Sequence, residues 1–312
     1  LVTRLADDTE RVYIYDNLSR KGTIRNARWL SESFPNVEFV RKDIRACNDL
    51  TECFKRYGPF DEIYHQAAQV AVTDSIKKPR YDFEVNALGT LNVLEAMRKF
   101  SPESILLYSS TNKVYGPLTN EPITTFRKRY HLTNYPDGIP ENYPLDFHSP
   151  YGCSKGASDQ YVIDFSRIYG LKTIVFRQSC IYGPRQFGVE DQGWVAWFLI
   201  AALAGKRITL YGDGKQVRDL LFIDDLLRAY RWAADNIEKT SGEAFNIGGG
   251  SYNSSLLEML ETIQTVLSVK MTVRYADWRP GDQKVFIADT AKAKQFFGWT
   301  PETNIENGLR QS

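Results

Sequence analysis

Several chemistries are missing from this sequence, and each absence narrows what the chain can be. Its four cysteines, Cys47, Cys53, Cys153 and Cys180, are scattered without a CxxC pair, so neither a disulfide framework nor a thiolate metal cluster is encoded. The three histidines, His65, His131 and His148, lie far apart without metal-ligand spacing, which argues against a zinc site. No apolar stretch approaches the ~20 residues a membrane span requires, and no signal-peptide pattern opens the chain. An excess of one charge is lacking too. Lys and Arg number 39 against 38 Asp and Glu, a net charge of +1, so nothing draws the chain towards DNA, RNA or anionic lipid. Repeats and low-complexity tracts are also absent. The expectation is a protein of the reducing cytoplasm with no metal, no nucleic-acid partner and no membrane partner.

What is present is an ordinary globular composition, 43% hydrophobic and 25% charged over 312 residues, long enough for one large or two intermediate domains. Short apolar runs at 11–15, 37–40, 62–65, 105–108 and 172–176 read as strands, with a helical pattern at 86–99 among them. This alternation predicts an α/β fold with a doubly wound parallel sheet, in which ligands sit beyond the carboxyl ends of the strands. After about residue 182 the rhythm changes to aromatic and glycine-rich segments mixed with helices near 224–236 and 254–267. We therefore expect a dinucleotide-binding domain over 1–178 and a smaller α/β substrate-binding lobe over 179–312, partly interleaved. The first five residues read as the tail of a helix. A dinucleotide fold would place a strand and a glycine-rich turn ahead of it, so truncation relative to the natural protein is expected.

The strongest local signal is Ser149-Pro150-Tyr151-Gly152-Cys153-Ser154-Lys155. Ser149 suits a helix cap and Pro150 the first helical position. Tyr151 and Lys155 then share one helix face at i and i+4. A lysine ammonium nearby is expected to favour the phenolate, lowering the tyrosine from its reference of about 10 and making Tyr151 a general base. Alone, this spacing arises on any amphipathic helix. It is joined by Ser109, Ser110 and Thr111, hydroxyls expected at a strand end that can position a substrate oxygen; a plain strand-end cap is the structural alternative. Asp16, ending a strand, fits either a ribose-hydroxyl contact of an NAD site or a turn, and the nearby Arg20 and Lys21 keep NADP open. Asp43 and Ile44 are placed to flank an adenine. Asn86, after the loop of Ala67, Ala68 and Gln69, reads as a helix cap or a brace for the lysine. His148 suits substrate contact or a structural role. Arg218 and Arg279, in turn-like runs, match phosphate oxygens. Tyr211 suits stacking on a base or core packing.

Together these residues resemble the extended short-chain dehydrogenase/reductase family of nucleotide-sugar enzymes over essentially the whole chain. The strings DNLSRKG (16–22), YSSTNKVYG (108–116), LDFHSPYGCSKGASDQY (145–161) and GPRQFGVEDQGWVAWF (183–198) are similar to members that invert C2 of a CDP-linked deoxysugar. The resemblance implies a Rossmann-like sheet, tightly bound NAD, and Thr111, Tyr151 and Lys155 as the catalytic set. It places Asp16, Asn17, Ser19, Arg20, Asp43, Ile44, Ala67, Ala68, Gln69, Asn86 and Ser109 around the cofactor with Tyr151 and Lys155. Asn112, His148, Cys180, Gln192, Gly193, Trp194, Tyr211, Arg218 and Arg279 would line the nucleotide-sugar site. A homo-oligomer, dimer or tetramer, is implied by family habit. Cys180 stands where many relatives carry an asparagine, so that substrate contact is expected to differ. Dehydrating and decarboxylating relatives carry a carboxylic acid after the threonine; here Asn112 and Lys113 follow it, which sets those reactions aside. A 4-epimerase stays open, because the same residues serve C4. A catalytically silent NAD-binding protein is the alternative of another class.

Overall fold

The computed structural model describes residues 1–279 and 282–312. Helix α1 (Val2–Asp8), β1 (Val12–Tyr15), α2 (Thr23–Ser33) and β2 (Val37–Val40) come first, and α3 (Cys47–Tyr57) leads to β3 (Glu62–His65). Helices α4 (Val72–Lys77), α5 (Pro79–Phe83) and α6 (Gly89–Phe100) follow, the last two joined by a π-helical turn, Glu84–Leu88. Strand β4 (Ile105–Thr111) runs into a 3-10 turn at Asn112–Tyr115, then a hairpin of β5 (Ile123–Phe126) and β6 (Arg129–Leu132), then the long α7 (Ser149–Tyr169). Next are β7 (Lys172–Gln178), β8 (Cys180–Tyr182), α8 (Trp194–Leu203), β9 (Ile208–Tyr211), β10 (Val217–Phe222) and α9 (Ile223–Asp235). The remainder is α10 (Ile237–Thr240), β11 (Glu243–Ile247), β12 (Asn253–Ser255), α11 (Leu256–Leu267), β13 (Val273–Ala276), α12 (Ala291–Phe297) and α13 (Ile305–Gln311).

Strands β3, β4, β7 and β11 form a parallel sheet in the order β11-β7-β4-β3. Their apolar runs are continuous because both faces are covered. Leu106, Tyr108 and Val175 point into a core with Met97 of α6 and Val162 and Phe165 of α7. Leu107, Ile174 and Phe176 point the other way, against Tyr230 and Ala233 of α9 and Phe297 of α12. Two-residue periodicity along the strands thus sorts side chains into two helix-covered layers. Strand β11 and helices α9 and α12 come from the second half of the sequence yet complete this body.

The parallel strands of the first half of the sequence fall into two ladders rather than one. β1 pairs in parallel with β2, and among the described residues no strand joins β1 to β3. Side-chain packing makes the link instead: Tyr13 lies 4.6 Å from Tyr57 and 6.1 Å from Phe60, ring centroid to centroid. A second body contains β8, β10 and β12, the parallel pair β9–β13, and helices α8, α11 and α13 around Phe198, Leu210, Leu220 and Met259. Among the described residues no helix is long and apolar enough to cross a membrane, and no group of His, Cys, Asp and Glu is arranged to hold a metal ion.

Candidate active site

Because β3, β4, β7 and β11 are parallel, their carboxyl ends share one edge, where Ser109 and Thr111 of β4 meet Lys155 and Tyr151 of α7. Strand β4 extends further than its apolar run, since Ser109, Ser110 and Thr111 remain in register with Phe176, Arg177 and Gln178 of β7. The three hydroxyls are therefore in-strand residues, and the strand-cap alternative falls for Ser109 and Ser110. Thr111 alone also serves the following turn, accepting the Lys113 N–H at 3.3 Å.

Helix α7 starts one residue earlier than the sequence predicts, at Ser149, with His148 in the cap position. Ser149 Oγ accepts the Gly152 N–H at 3.2 Å, and Pro150 sits in the first turn. The buried stripe Tyr151, Ser154, Lys155, Ser158, Asp159 and Val162 follows helical spacing. Tyr151 faces Thr111, whose hydroxyl is near enough to act on the phenol. Lys155 Nζ donates to Ser109 O at 2.5 Å and lies 4.3 Å from the Tyr108 ring centroid.

The electrostatics differ from the sequence expectation. Burial raises Tyr151 to about 12, against a smaller downward effect from Thr111. Lys155 does not depress it: burial pulls Lys155 itself down to about 7, opposed by Asp159 and Asp82. In a dry pocket desolvation disfavours both charged forms, and the ammonium is spent on a carbonyl and a ring face instead of the phenol.

Asn86 corrects another expectation. It caps no helix and sits inside the π-turn, a distortion that often marks functional sites. Its amide takes the Gln69 N–H at 2.8 Å and donates to Gln69 O at 3.0 Å, fixing the loop of Ala67, Ala68 and Gln69. It also donates to Ser154 Oγ (3.0 Å) and Asp82 Oδ1 (3.2 Å), so the brace runs to α7 one residue before Lys155 rather than to the lysine. Asn86→Ala is expected to destabilise the protein by about 2–3 kcal/mol, since it orphans buried partners. Amide exchange at Gln69 should quicken more than exchange in β4, and equal protection at both would show that the brace does not hold the loop.

At the end of β1, Asp16 Oδ1 accepts the Leu18 N–H at 2.6 Å and Asn17 Oδ1 the Ser19 N–H at 3.0 Å, so both shape a turn. Asn17 Nδ2 also donates to Asp43 Oδ2 at 2.9 Å, bringing the ends of β1 and β2 together. Hydrogen bonds from Arg45 hold Asp43 down at about 2. The Ile44 side chain is buried, packed so closely on Gly89 that a Cβ there would lie 2.5 Å from Ile44 Cδ1. It spaces β2 from α6. Arg20, expected near the cofactor, hydrogen-bonds Gln192, expected near the substrate.

The remaining residues divide into two clusters. Cys180 lies beside Trp194, with Lys113 and Arg218 facing it. Arg218 pairs with Asp282 at 2.6 Å and donates to Gln283 O at 2.6 Å, and Asn112 Nδ2 reaches Gln283 Oε1 at 3.4 Å. Tyr211, partly exposed rather than core, donates to Glu190 Oε1 at 3.1 Å and carries the Arg279 guanidinium 3.9 Å over its ring, while Arg279 pairs with Asp191 at 2.9 Å. Pro280 and Gly281, which complete the Arg279 run, lie outside the described residues. Gly193 takes a left-handed conformation (φ 68°) before α8. His148 forms an exposed pair with Asp146 at 3.1 Å.

Four features carry no local sequence signal. Asp82 is fully buried and accepts from Ser154 Oγ at 2.5 Å. Gln178 joins Ser109 (3.1 Å) to Tyr230, which also bonds Gln66. His65 is kept neutral by burial, at about 3, with Nε2 2.8 Å from Thr90 Oγ1. Asp159 and Arg177 form a buried ion pair beneath Ser110.

A family model described as GDP-mannose 4,6 dehydratase matches residues 1–312. CDP-paratose 2-epimerase of Salmonella typhi is 46% identical over 304 residues, 96% of this chain and 89% of that protein. Among solved structures, the UDP-glucose 4-epimerase of Thermotoga maritima with UDP-glucose is similar at a TM-score of 0.84 and 31% identity, covering 99% of this chain and 92% of that one. The UDP-glucose 4-epimerase of Thermus thermophilus in complex with NAD reaches a TM-score of 0.82 at 29% identity, with coverages of 99% and 92%.

Proposed function

The chain belongs to the GDP-mannose 4,6 dehydratase family, within the extended short-chain dehydrogenases/reductases, and we propose that it is an NAD-dependent epimerase inverting C2 of a CDP-linked deoxysugar, CDP-paratose to CDP-tyvelose. The observation that carries this reading is the buried Thr111–Tyr151 hydroxyl pair beside Lys155, followed by Asn112 and Lys113. Redox chemistry at a sugar hydroxyl needs the pair. Elimination of water would need a carboxylic acid next to it, and none follows Thr111. The choice of C2 rests on the 46% identical relative.

The residues fit NAD. Gln69 Oε1 is buried without a hydrogen-bond partner at the end of β3, and Lys155 keeps ammonium donors for a ribose beyond its bond to Ser109. Asp16, Asn17 and Asp43 would hold the adenosine end, and the Asn86-braced loop the middle. When bound, the cofactor supplies a two-electron acceptor, positively charged when oxidised, that takes hydride from the sugar carbon and returns it. Thr111 and Tyr151 orient the C2 hydroxyl, and Tyr151 receives its proton as the carbon becomes a ketone. For that, its pKa must fall from about 12, and the positive charge that the oxidised cofactor would bring into the same low-dielectric pocket would lower it. The 2-keto sugar turns its other face, and Tyr151 gives the proton back to the new alcohol. Arg218, Arg279 and the turn at Gln192, Gly193 and Trp194 would hold the nucleotide diphosphate. Two copies would pair through apolar surface on α5 and α7, where Phe83, Tyr161 and Ile168 are exposed. Sedimentation should then give a multiple of 35.8 kDa.

The test follows sugar protons by NMR in deuterated water, with CDP-paratose, CDP-glucose and UDP-glucose offered separately. Inversion at C2 without deuterium incorporation is expected. Inversion at C4, or preference for a UDP-sugar, would move the protein to the 4-epimerases. Deuterium at the inverted carbon would replace hydride return with carbon deprotonation. No turnover in NAD-loaded protein would make the chain a silent binder.

A further inference from the structure

Lys113 has no part in the chemistry described so far. It sits in the 3-10 turn after Thr111, its N–H on Thr111 Oγ1 and its carbonyl receiving the Gly116 N–H at 3.2 Å. Gly116 holds the turn: its φ of +69° and its approach to Asp146, where a Cβ would lie 2.5 Å from the carbonyl oxygen, both require glycine. Gln283 Nε2 pins its carbonyl at 2.6 Å.

The charged and titratable groups facing the Lys113 ammonium are Arg218 on β10, Asp282 in the segment before α12, and Cys180 on β8. Asp282 is already engaged by Arg218 at 2.6 Å. Two cations therefore share one carboxylate, and among the described residues Lys113 forms no ion pair. Burial first, and the like charge of Arg218 second, draw Lys113 down to about 8. Cys180 also faces Tyr151, so the cluster adjoins the catalytic pair on the substrate side. A half-buried ammonium that forms no ion pair and faces an arginine is stabilised by an anion.

Substrate geometry says which anion. A nucleotide sugar carries its diphosphate on C1. If C2 stands at Tyr151, the β-phosphate hangs from the neighbouring carbon, close to the Thr111 turn. If C4 stands there, the phosphate lies across the ring. We propose that Lys113 binds the β-phosphate of the substrate and, by holding it next to Thr111 and Tyr151, selects C2 for oxidation. The inference rests on the epimerase reading for its substrate and adds the residue that fixes the reacting carbon.

The experiment compares NAD-loaded wild type, Lys113→Met and Lys113→Arg by calorimetry with CDP, CMP, UDP and UMP, which separates the β-phosphate from the rest of the nucleotide. Lys113→Met should weaken the diphosphate about 10- to 100-fold, the worth of one charge-assisted contact, and change the monophosphate less than about 3-fold. Lys113→Arg should retain the preference. In wild type the preference should fall as pH rises through about 8, where the free ammonium loses its proton, and stay flat in Lys113→Arg. Methionine keeps the length of the half-buried side chain and removes its charge, so loss of fold is not expected, and the melting temperature checks it. Equal weakening of diphosphate and monophosphate, or no weakening, overturns the assignment, as does a wild type that does not prefer the diphosphate. If selective loss occurs but wild type does not invert C2, the phosphate contact stands and the reaction reading falls. The converse pattern removes Lys113 alone.

Discussion

Tyr151→Phe is expected to lower kcat about 10^3-fold while the protein keeps its fold and its NAD. The size follows from what is removed: a positioned acid–base group contributes about 10^2- to 10^4-fold, and this phenol both takes and returns the substrate proton in the proposed cycle. The ring itself stays, so packing is conserved, and the substitution removes at most one hydrogen bond, from the hydroxyl that faces Thr111. A stability change of about 1 kcal/mol is the most such a hydrogen bond implies. Three measurements separate the cases: single-turnover inversion by NMR, NAD released on denaturation, and the melting temperature. A variant within about ten-fold of wild type would mean that Tyr151 is not the proton acceptor, since it falls short of what such a group contributes. Thr111→Val should lose less, about 10- to 100-fold, because it removes positioning but leaves the acid–base group.

How legible this is from the sequence depends on range. Strands β2 and β3 occupy 37–40 and 62–65, as read, because apolar runs bounded by turn residues are local signals. Strands β4 and β7 continue through Thr111 and Gln178, beyond their apolar runs, because a ladder between neighbouring strands overrides side-chain polarity. The Tyr151–Lys155 pair is legible from one helix face and a cap. Its electrostatics are not, since burial, a property of the whole fold, sets Tyr151 at about 12 and Lys155 at about 7. Asn86 stands out for a local reason, yet its partners Gln69, Asp82 and Ser154 come from three separate stretches. The packing of Ile44 on Gly89 is a tertiary contact with no local signal in the sequence. Asp159 and Arg177, ordinary charges on a helix and a strand, give no sign of being buried against each other.

That buried pair carries the largest expected loss of stability. Asp159 is fully buried, and Arg177 nearly so, with two guanidinium nitrogens on the carboxylate at 3.0 and 3.1 Å. Ser110 donates to Asp159 at 2.6 Å, and Arg177 continues to Tyr115 at 3.0 Å and to the Glu141 carbonyl at 3.2 Å. The network ties α7 to β4, β7 and the turn that carries Lys113. Arg177→Met strands a carboxylate in the interior, so a loss of about 3–5 kcal/mol is expected, or roughly 10 °C in melting temperature for a chain of this size. Adding Asp159→Leu should recover part of that loss, since an apolar pair no longer leaves a buried charge. Recovery stays incomplete, because Ser110 and Tyr115 lose partners. If the single and double variants melt alike, the stranded charge is not the cause. Asp159 also bears on catalysis, as the strongest influence raising Lys155 against burial. Asp159→Asn should therefore move Lys155 below about 7, leaving less ammonium at neutral pH to hold the Ser109 carbonyl and a cofactor ribose. Activity should fall at about pH 7 and recover partly as pH is lowered and Lys155 regains its proton, whereas simple destabilisation would lower activity without that recovery.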